Sequence, residues 1–321
     1  MVECITSGQN PKIKELLALQ EKSRERRSAG LFVVEGRREL SHCLAAGFVP
    51  DTIFICPDIF FAGKGCTPFR SRATPDPTRS VETVKGTSSL SSFAVSGPPA
   101  TVPRVARPSG GTPSPDELLF PEEAKVFEVS REVYEKIAYR GGTEGIIAEI
   151  KYKERRLEDI VLGENPLVIV LESVEKPGNL GAVLRSADAA GADAVIICDP
   201  LTDLYNPNLI RSSIGSVFTR QVATATSEET IAWLKAKEIQ ILTAQLQDST
   251  LYYDTPMTGP TAIVMGTEST GLTGIWREAS DKRIRIPMLG SLDSLNVSVS
   301  AASLLFEAVR QRQSMADLVL E

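Results

Sequence analysis

The sequence predicts an α/β protein of two unequal units, on three observations. From Leu167 onward, short runs of β-branched residues alternate with stretches of helical periodicity, the mark of a parallel sheet covered by helices on both faces. A shorter alternation fills the first sixty residues, and a stretch rich in Ser, Thr, Pro and Gly separates the two. Three segments, at 167–191, 261–272 and 283–312, each lead from an apolar strand into a polar or glycine-rich loop and then toward a helix. Open α/β sheets bind ligands at that edge, the carboxyl ends of their strands.

In the first unit, Pro11 to Arg27 reads as one amphipathic helix on Ile13, Leu16, Leu17 and Leu19, started near Ser7–Asn10. Leu31–Gly36 is a strand ending in a turn, Arg37–Ala46 a helix stopped by Gly47, and Thr52–Cys56 a strand. From about 62 to 115 the composition cannot bury enough apolar surface to offset ordering entropy, so it reads as a disordered, net-basic insertion. Strand 126–129, helix 130–138 capped by Ser130, and strand 145–150 complete the unit. Residues 157–165 look like a linker. The boundaries are therefore 1–155 and 166–321. In the second unit strands fall at 167–172, 194–198, 220–224, 240–244, 261–265 and 283–287. Helices fall between and after them at 179–190, 207–217, 227–238, 274–280 and 296–312. Asn206-Pro207 is a cap followed by proline at the first helical position.

Composition narrows the function. With 321 residues, 42% hydrophobic, the chain is large enough for two cores, and it has no run of about eighteen apolar residues that would cross a membrane. The N-terminus lacks the basic-then-apolar pattern of a secretory signal. Five scattered cysteines, none in Cys-x-x-Cys, point to reduced thiols in a cytoplasm rather than a structural zinc site. One histidine, His42, argues against histidine triads and polyhistidine metal centres, so no metal is expected. The net charge of −6 does not favour nucleic acid. Its distribution is more informative: Lys12, Lys14, Lys22, Arg24, Arg26, Arg27, Arg37 and Arg38 crowd the first forty residues, and Lys151, Lys153, Arg155 and Arg156 follow later. Such groups are either solvated helix faces or patches for RNA. A nicotinamide enzyme would need Gly-x-Gly-x-x-Gly after its first strand; the turn here, Lys176 to Ala182, has Pro177 where backbone must approach pyrophosphate.

The three loops carry Asn179, Gly181 and Arg185; Gly266, Glu268, Gly271 and Leu272; and Ile286-Pro287-Met288-x-Gly290 followed by Ser294-Leu295-Asn296-Val297-Ser298. In this order and context they resemble the SpoU/TrmH family of RNA 2′-O-ribose methyltransferases, within the SPOUT superfamily. The run Phe32-Val33-Val34-Glu35-Gly36-Arg37-Arg38-Glu39-Leu40 resembles, less specifically, the small ribosomal-protein-like domain that precedes the catalytic one in many relatives. Two features depart from the family pattern: the insertion, and Ser269 where many relatives have glycine.

The resemblance implies a parallel-sheet SPOUT domain closed by a deep trefoil knot, which no periodicity would announce. It implies methyl transfer from S-adenosylmethionine, leaving S-adenosylhomocysteine, to a ribose 2′-hydroxyl of structured RNA. Large-subunit rRNA is favoured, because a separate N-terminal domain is commoner among rRNA enzymes. A tRNA enzyme, a resistance-type rRNA methylase and a non-catalytic ribosome-assembly factor are the alternatives. The cofactor is expected at Thr243, Ala244, Gln245, Met265, Gly266, Thr267, Glu268, Gly271, Ile286, Pro287, Met288, Leu289, Ser294, Leu295 and Asn296. Catalysis is expected from Arg185, Asn179, Glu268, Ser294 and Asn296. A guanidinium stays protonated in ordinary settings, so Arg185 is better suited to orient a phosphate and the 2′-oxygen than to act as a base. The final helix is more apolar than one sheet face needs, which together with the family's dimeric habit implies a homodimer.

Overall fold

The computed structural model describes residues 3–62, 124–139, 144–267, 269–291 and 294–319, with side chains of the last helix described through Ser314. The insertion read at about 62–115 lies outside these residues, Ala62 aside. The first unit runs β1 (Glu3–Ile5), α1 (Pro11–Glu21), α2 (Ser23–Ala29), β2 (Leu31–Glu35), α3 (Arg37–Ala45), β3 (Pro50–Ile55), α4 (Pro57–Phe60), β4 (Lys125–Val129), α5 (Arg131–Ile137) and β5 (Ile146–Lys151). Its sheet has the order β1-β4-β3-β5-β2, with β5 antiparallel to both neighbours. The three-residue β1 gave no sequence signal; it is held by parallel pairing to β4.

The second unit runs β6 (Leu167–Glu172), α6 (Pro177–Ala189), β7 (Ala194–Cys198), α7 (Pro207–Ser212), α8 (Ser216–Thr219), β8 (Gln221–Ala225), α9 (Ser227–Ala236), β9 (Gln240–Ala244), β10 (Thr250–Leu251), β11 (Thr261–Met265), α10 (Gly274–Ala279), β12 (Lys282–Arg285) and α11 (Val297–Val319). The seven strands are parallel, in the order β10-β12-β9-β11-β6-β7-β8. β6, β7 and β11 are buried along their whole length, which is why they read as unbroken apolar runs.

Two expected helices are each broken, for identifiable reasons. The one at 11–27 stops at Lys22, which is extended at φ −115°, ψ 116°. The break lets buried Arg26 donate from its guanidinium to the carbonyls of Leu19 and Gln20 at the end of α1, at 2.7 and 3.2 Å. The one at 207–217 stops at Ile214 and Gly215, both left-handed (φ 55° and 78°). A Cβ on Gly215 would sit 3.1 Å from the His42 ring, so α3 comes close only because this residue is glycine.

The two sheets share packing. Phe32 stacks on Tyr205 at 4.1 Å, and Phe48 meets Phe218 edge-on at 5.2 Å. Arg26 also pairs with Asp203 at 2.6 Å, both side chains almost fully buried. The expected linker at 157–165 packs as well: Leu157 is buried, and the Val161 amide donates to Gln221 Oε1 at 2.8 Å. Among the described residues no helix is long and apolar enough to cross a membrane.

Candidate active site

The loops after β9, β11 and β12 converge with the start of α11 on a cleft of ≈ 360 Å³. Its wall is mostly apolar, from Ala244, Leu246, Met265, Leu272, Ile286, Met288, Leu295 and Leu304. The loop after β11 folds back on itself: the Gly271 amide donates to the Thr267 carbonyl at 3.1 Å, and Thr267 Oγ1 accepts the Thr270 amide at 3.0 Å. A Cβ on Gly266 would lie 2.3 Å from the Gly271 carbonyl carbon, and Gly271 itself is left-handed at φ 68°. Both glycines are therefore required by the turn. On the opposite wall the Gln245 amide donates to the Ile284 carbonyl at 2.9 Å. Its side-chain Oε1, and Oγ1 of Thr243 one step down β9, are buried with no hydrogen-bond partner. A buried acceptor without a donor is unfavourable unless a ligand supplies one. An apolar slot bearing an unmet acceptor at Gln245 fits the adenosyl group of S-adenosylmethionine.

Beneath this loop lies Glu172, at the end of β6 and 3% exposed. Its carboxylate accepts the Thr273 amide at 2.9 Å and the Thr273 hydroxyl at 2.5 Å. Ser227 completes the cluster, donating to Asp199 at 2.6 Å and accepting from the Trp276 indole at 3.0 Å. The network ties the end of β6 to the exit of the Gly266–Leu272 loop. Sequence reasoning passed over Glu172; the available signal was an acid closing a wholly apolar strand.

A smaller cleft of ≈ 160 Å³ adjoins the first, and Thr267 and Val297 belong to both. Its other walls are Val174, Glu175, Lys176, Asn179 and Ser269. Asn296 donates from Nδ2 to Asn179 Oδ1 at 3.2 Å, while its own Oδ1 accepts from the Ser298 amide at 2.9 Å and the Ser298 hydroxyl at 2.6 Å. Asn296 is thus at once the cap of α11 and its bridge to α6. Gly181 serves packing: a Cβ there would lie 2.0 Å from Ser212 Oγ and 2.7 Å from the Ser213 amide, so α6 and α7 touch backbone to backbone.

Of the residues expected around a cofactor, Ala244, Gln245, Met265, Gly266, Thr267, Gly271, Ile286, Met288, Ser294 and Leu295 line the larger cleft. Thr243, Pro287, Leu289 and Asn296 do not. Thr243 is inside β9, Leu289 is 96% exposed, and Asn296 faces Asn179 instead. Glu268 lies outside the described residues. Arg185 is exposed on α6, roughly 9 Å along the axis from Asn179, and lines neither cleft. Unforeseen members of the larger cleft include Leu246, Gln247, Thr270, Arg277, Arg285, Ser300 and Leu304. They are brought in by loop direction and by the second turn of α11. Among the described residues no group of His, Cys, Asp and Glu could hold a metal ion.

Comparison with known proteins fits this geometry. Residues 166–306 match the model of the SpoU rRNA Methylase family, and residues 10–82 match the MRM3-like substrate binding domain. The 23S rRNA (guanosine-2′-O-)-methyltransferase RlmB of Photorhabdus laumondii is 43% identical over 178 residues, 53% of this chain and 72% of the relative. That of Escherichia coli K12 is 42% identical over 176 residues, again 53% and 72%. The chain belongs to the SpoU rRNA methylase family. It follows that the protein is an S-adenosylmethionine-dependent RNA 2′-O-methyltransferase. Likeness to solved SpoU-type enzymes extends over both units. An RNA 2′-O ribose methyltransferase aligns with TM-score 0.70 at 34% identity, over 97% of this chain and 99% of that one. An rRNA methyltransferase from Sinorhizobium meliloti, solved with its methyl donor, aligns with TM-score 0.72 at 25% identity, over 96% and 98%.

Proposed function

We propose that this methyltransferase acts on large-subunit rRNA, with residues 166–321 performing the transfer and residues 1–155 holding the RNA. The observation that carries the reading is the pair of adjoining clefts sharing Thr267 and Val297, one with an apolar wall and an unmet acceptor, the other lined also by Glu175, Lys176, Asn179 and Ser269. The match of the first unit to a substrate binding domain supports the division of labour. Guanosine is the target nucleoside in the named relatives, and the same nucleoside is proposed here.

S-adenosylmethionine, when bound, supplies a methyl group already activated on a sulfonium sulfur, and S-adenosylhomocysteine is its product. The chain's residues then have the task of alignment. Backbone around Gly266–Gly271 and Ile286–Met288 holds the adenosyl part, and Met265, Leu272, Ile286 and Leu295 exclude water. Asn179, fixed by Asn296, orients the acceptor ribose, and Ser294 lines the donor side of the same opening. Glu268, expected from the family motif, is proposed to assist this alignment. Arg185 holds a phosphate beside the 2′-oxygen once RNA is seated, and that phosphate accepts the proton. No metal takes part in this scheme.

The proposal includes the deep trefoil knot implied by the resemblance. It is supported by the path of the chain after β12, which returns across β11 to pack α11 on α6. A homodimer through α11 is proposed as well. Val299 and Phe306, 50% and 48% exposed and seven residues apart, form an apolar stripe on a helix whose other face is already buried. A cytoplasmic location completes the reading.

The test is methyl transfer from tritium-labelled S-adenosylmethionine to RNA from cells lacking the protein, followed by sizing and ribose analysis. Label in large-subunit rRNA, resistant to alkali at one position, is the expected result. Label in tRNA instead, or cofactor binding with no label in any RNA, would overturn the substrate assignment.

A further inference from the structure

Where the two units meet, on the side of Tyr205, the seam opens into a groove of ≈ 330 Å³ distinct from both clefts above. Its rim carries Arg27, Tyr152, Lys153 and Arg156. The acids nearby are already engaged: Asp203 by Arg26 at 2.6 Å, Glu154 by Arg156 at 2.5 Å. Arg27 and Lys153 are exposed and make no ion pair among the described residues, so the groove presents net positive charge. Tyr152 rests edge-on against Tyr205, centroids 4.7 Å apart and planes at 80°, and is 37% exposed. An aromatic ring anchored by its neighbour, beside the Arg27 guanidinium and a Lys153 ammonium that makes no ion pair and lies 5.8 Å from the Phe48 ring centroid, is the arrangement that stacks a base and neutralises its flanking phosphates.

The groove neighbours the acceptor cleft across one hydrogen bond. Thr202, on its rim, donates its hydroxyl to the carbonyl of Glu175, a wall residue of that cleft. One loop, Asp199–Tyr205, therefore separates the acceptor ribose from the tyrosine.

We propose that this seam groove is a single-stranded RNA subsite, in which Tyr152 stacks an unpaired base close in sequence to the methylated nucleotide and Arg27 and Lys153 bind the phosphates on either side. The inference rests on the RNA methyltransferase reading and deepens it, since it specifies an unpaired segment beside the target. It also explains how an acidic chain binds RNA: the charge that matters is concentrated where the two units join.

The test compares wild type, Tyr152→Ala, Tyr152→Phe and the double variant Arg27→Ala/Lys153→Ala on protein-free large-subunit rRNA. Tyr152→Ala raises KM for RNA by about tenfold, Tyr152→Phe restores it, and kcat stays within about twofold. Affinity for S-adenosylmethionine is unchanged in all three. The double variant lowers the salt-dependence slope of RNA binding by roughly 1 to 2. Unchanged KM and slope in these variants, with wild type active, would sink the subsite and leave the activity standing. Should Tyr152→Ala fail to fold, the double variant decides, because its side chains are exposed. If wild type labels no large-subunit rRNA, the substrate assignment fails, while the RNA-binding slopes still decide the groove.

Discussion

Arg185 shows how far a residue's type is from its role. It projects from a helix whose other face is packed, and it meets neither cleft of the free protein. A guanidinium in that position can act only on a substrate that comes to it, which agrees with an RNA phosphate as its partner. Arg185→Ala should therefore leave S-adenosylmethionine binding intact, measured by calorimetry, and lower kcat by roughly 10²- to 10³-fold. Turnover within a factor of two of wild type would remove it from the mechanism. Asn296 makes the complementary point. A helix cap and a site residue look like competing explanations in sequence, yet its two amide atoms leave room for both, with Oδ1 capping α11 and Nδ2 bridging to Asn179, the residue proposed to orient the ribose.

At the scale of elements, the loops owe their shape to glycines set against backbone and to a buried carboxylate below. The Gly266–Leu272 turn closes tightly enough that no side chain fits at Gly266, and Glu172 fastens its far end through Thr273. Gly266→Ala must push the two arms of the turn apart. Overpacking of this kind costs about 1–3 kcal/mol, so cofactor affinity should fall about tenfold or more. Calorimetric titration with S-adenosylhomocysteine would read this directly, and an unaltered Kd would mean the turn has slack the geometry denies. Ser269, the departure from the family pattern, sits inside this turn with Thr267 Oγ1 3.4 Å from its hydroxyl, so it is accommodated by local hydrogen bonding.

The molecule as a whole is one packed body of two sheets joined by aromatic stacking and the Arg26–Asp203 pair. Its stability carries a pH signature from the first unit. Glu149 on β5 is 2% exposed with Oε1 unpartnered, and burial, helped by the nearby Glu15 carboxylate, pushes its carboxyl up to about 7. An acid raised in the folded state contributes stability that is full below its ordinary value near 4.5 and is lost as pH rises through about 7. Glu149→Gln should abolish that slope and raise the unfolding free energy above pH 7 by an amount on the order of 3 kcal/mol. Thermal unfolding of both proteins from pH 4.5 to 8 checks it; parallel curves would assign the pH dependence elsewhere.

The sequence alone determined what depends on neighbours along the chain. Alternation of apolar strands and periodic helices, Asn206-Pro207 at a helix start and Gly47 after a helix end all act within a few residues, so α/β order and three ligand-facing loops were legible. The family motifs added the chemistry. Tertiary structure alone decided which loops share a cleft, because that depends on strand order in the sheet and not on spacing. It put Leu289 in solvent and left Thr243 off the cleft wall, and it turned part of a basic cluster into a buried clamp at Arg26. It also made Gly181 and Gly215 contact points between helices. Helix breaks at Lys22 and Ile214 follow the same rule: each gives up local propensity for a contact made by a distant residue, a term that no window on the sequence contains.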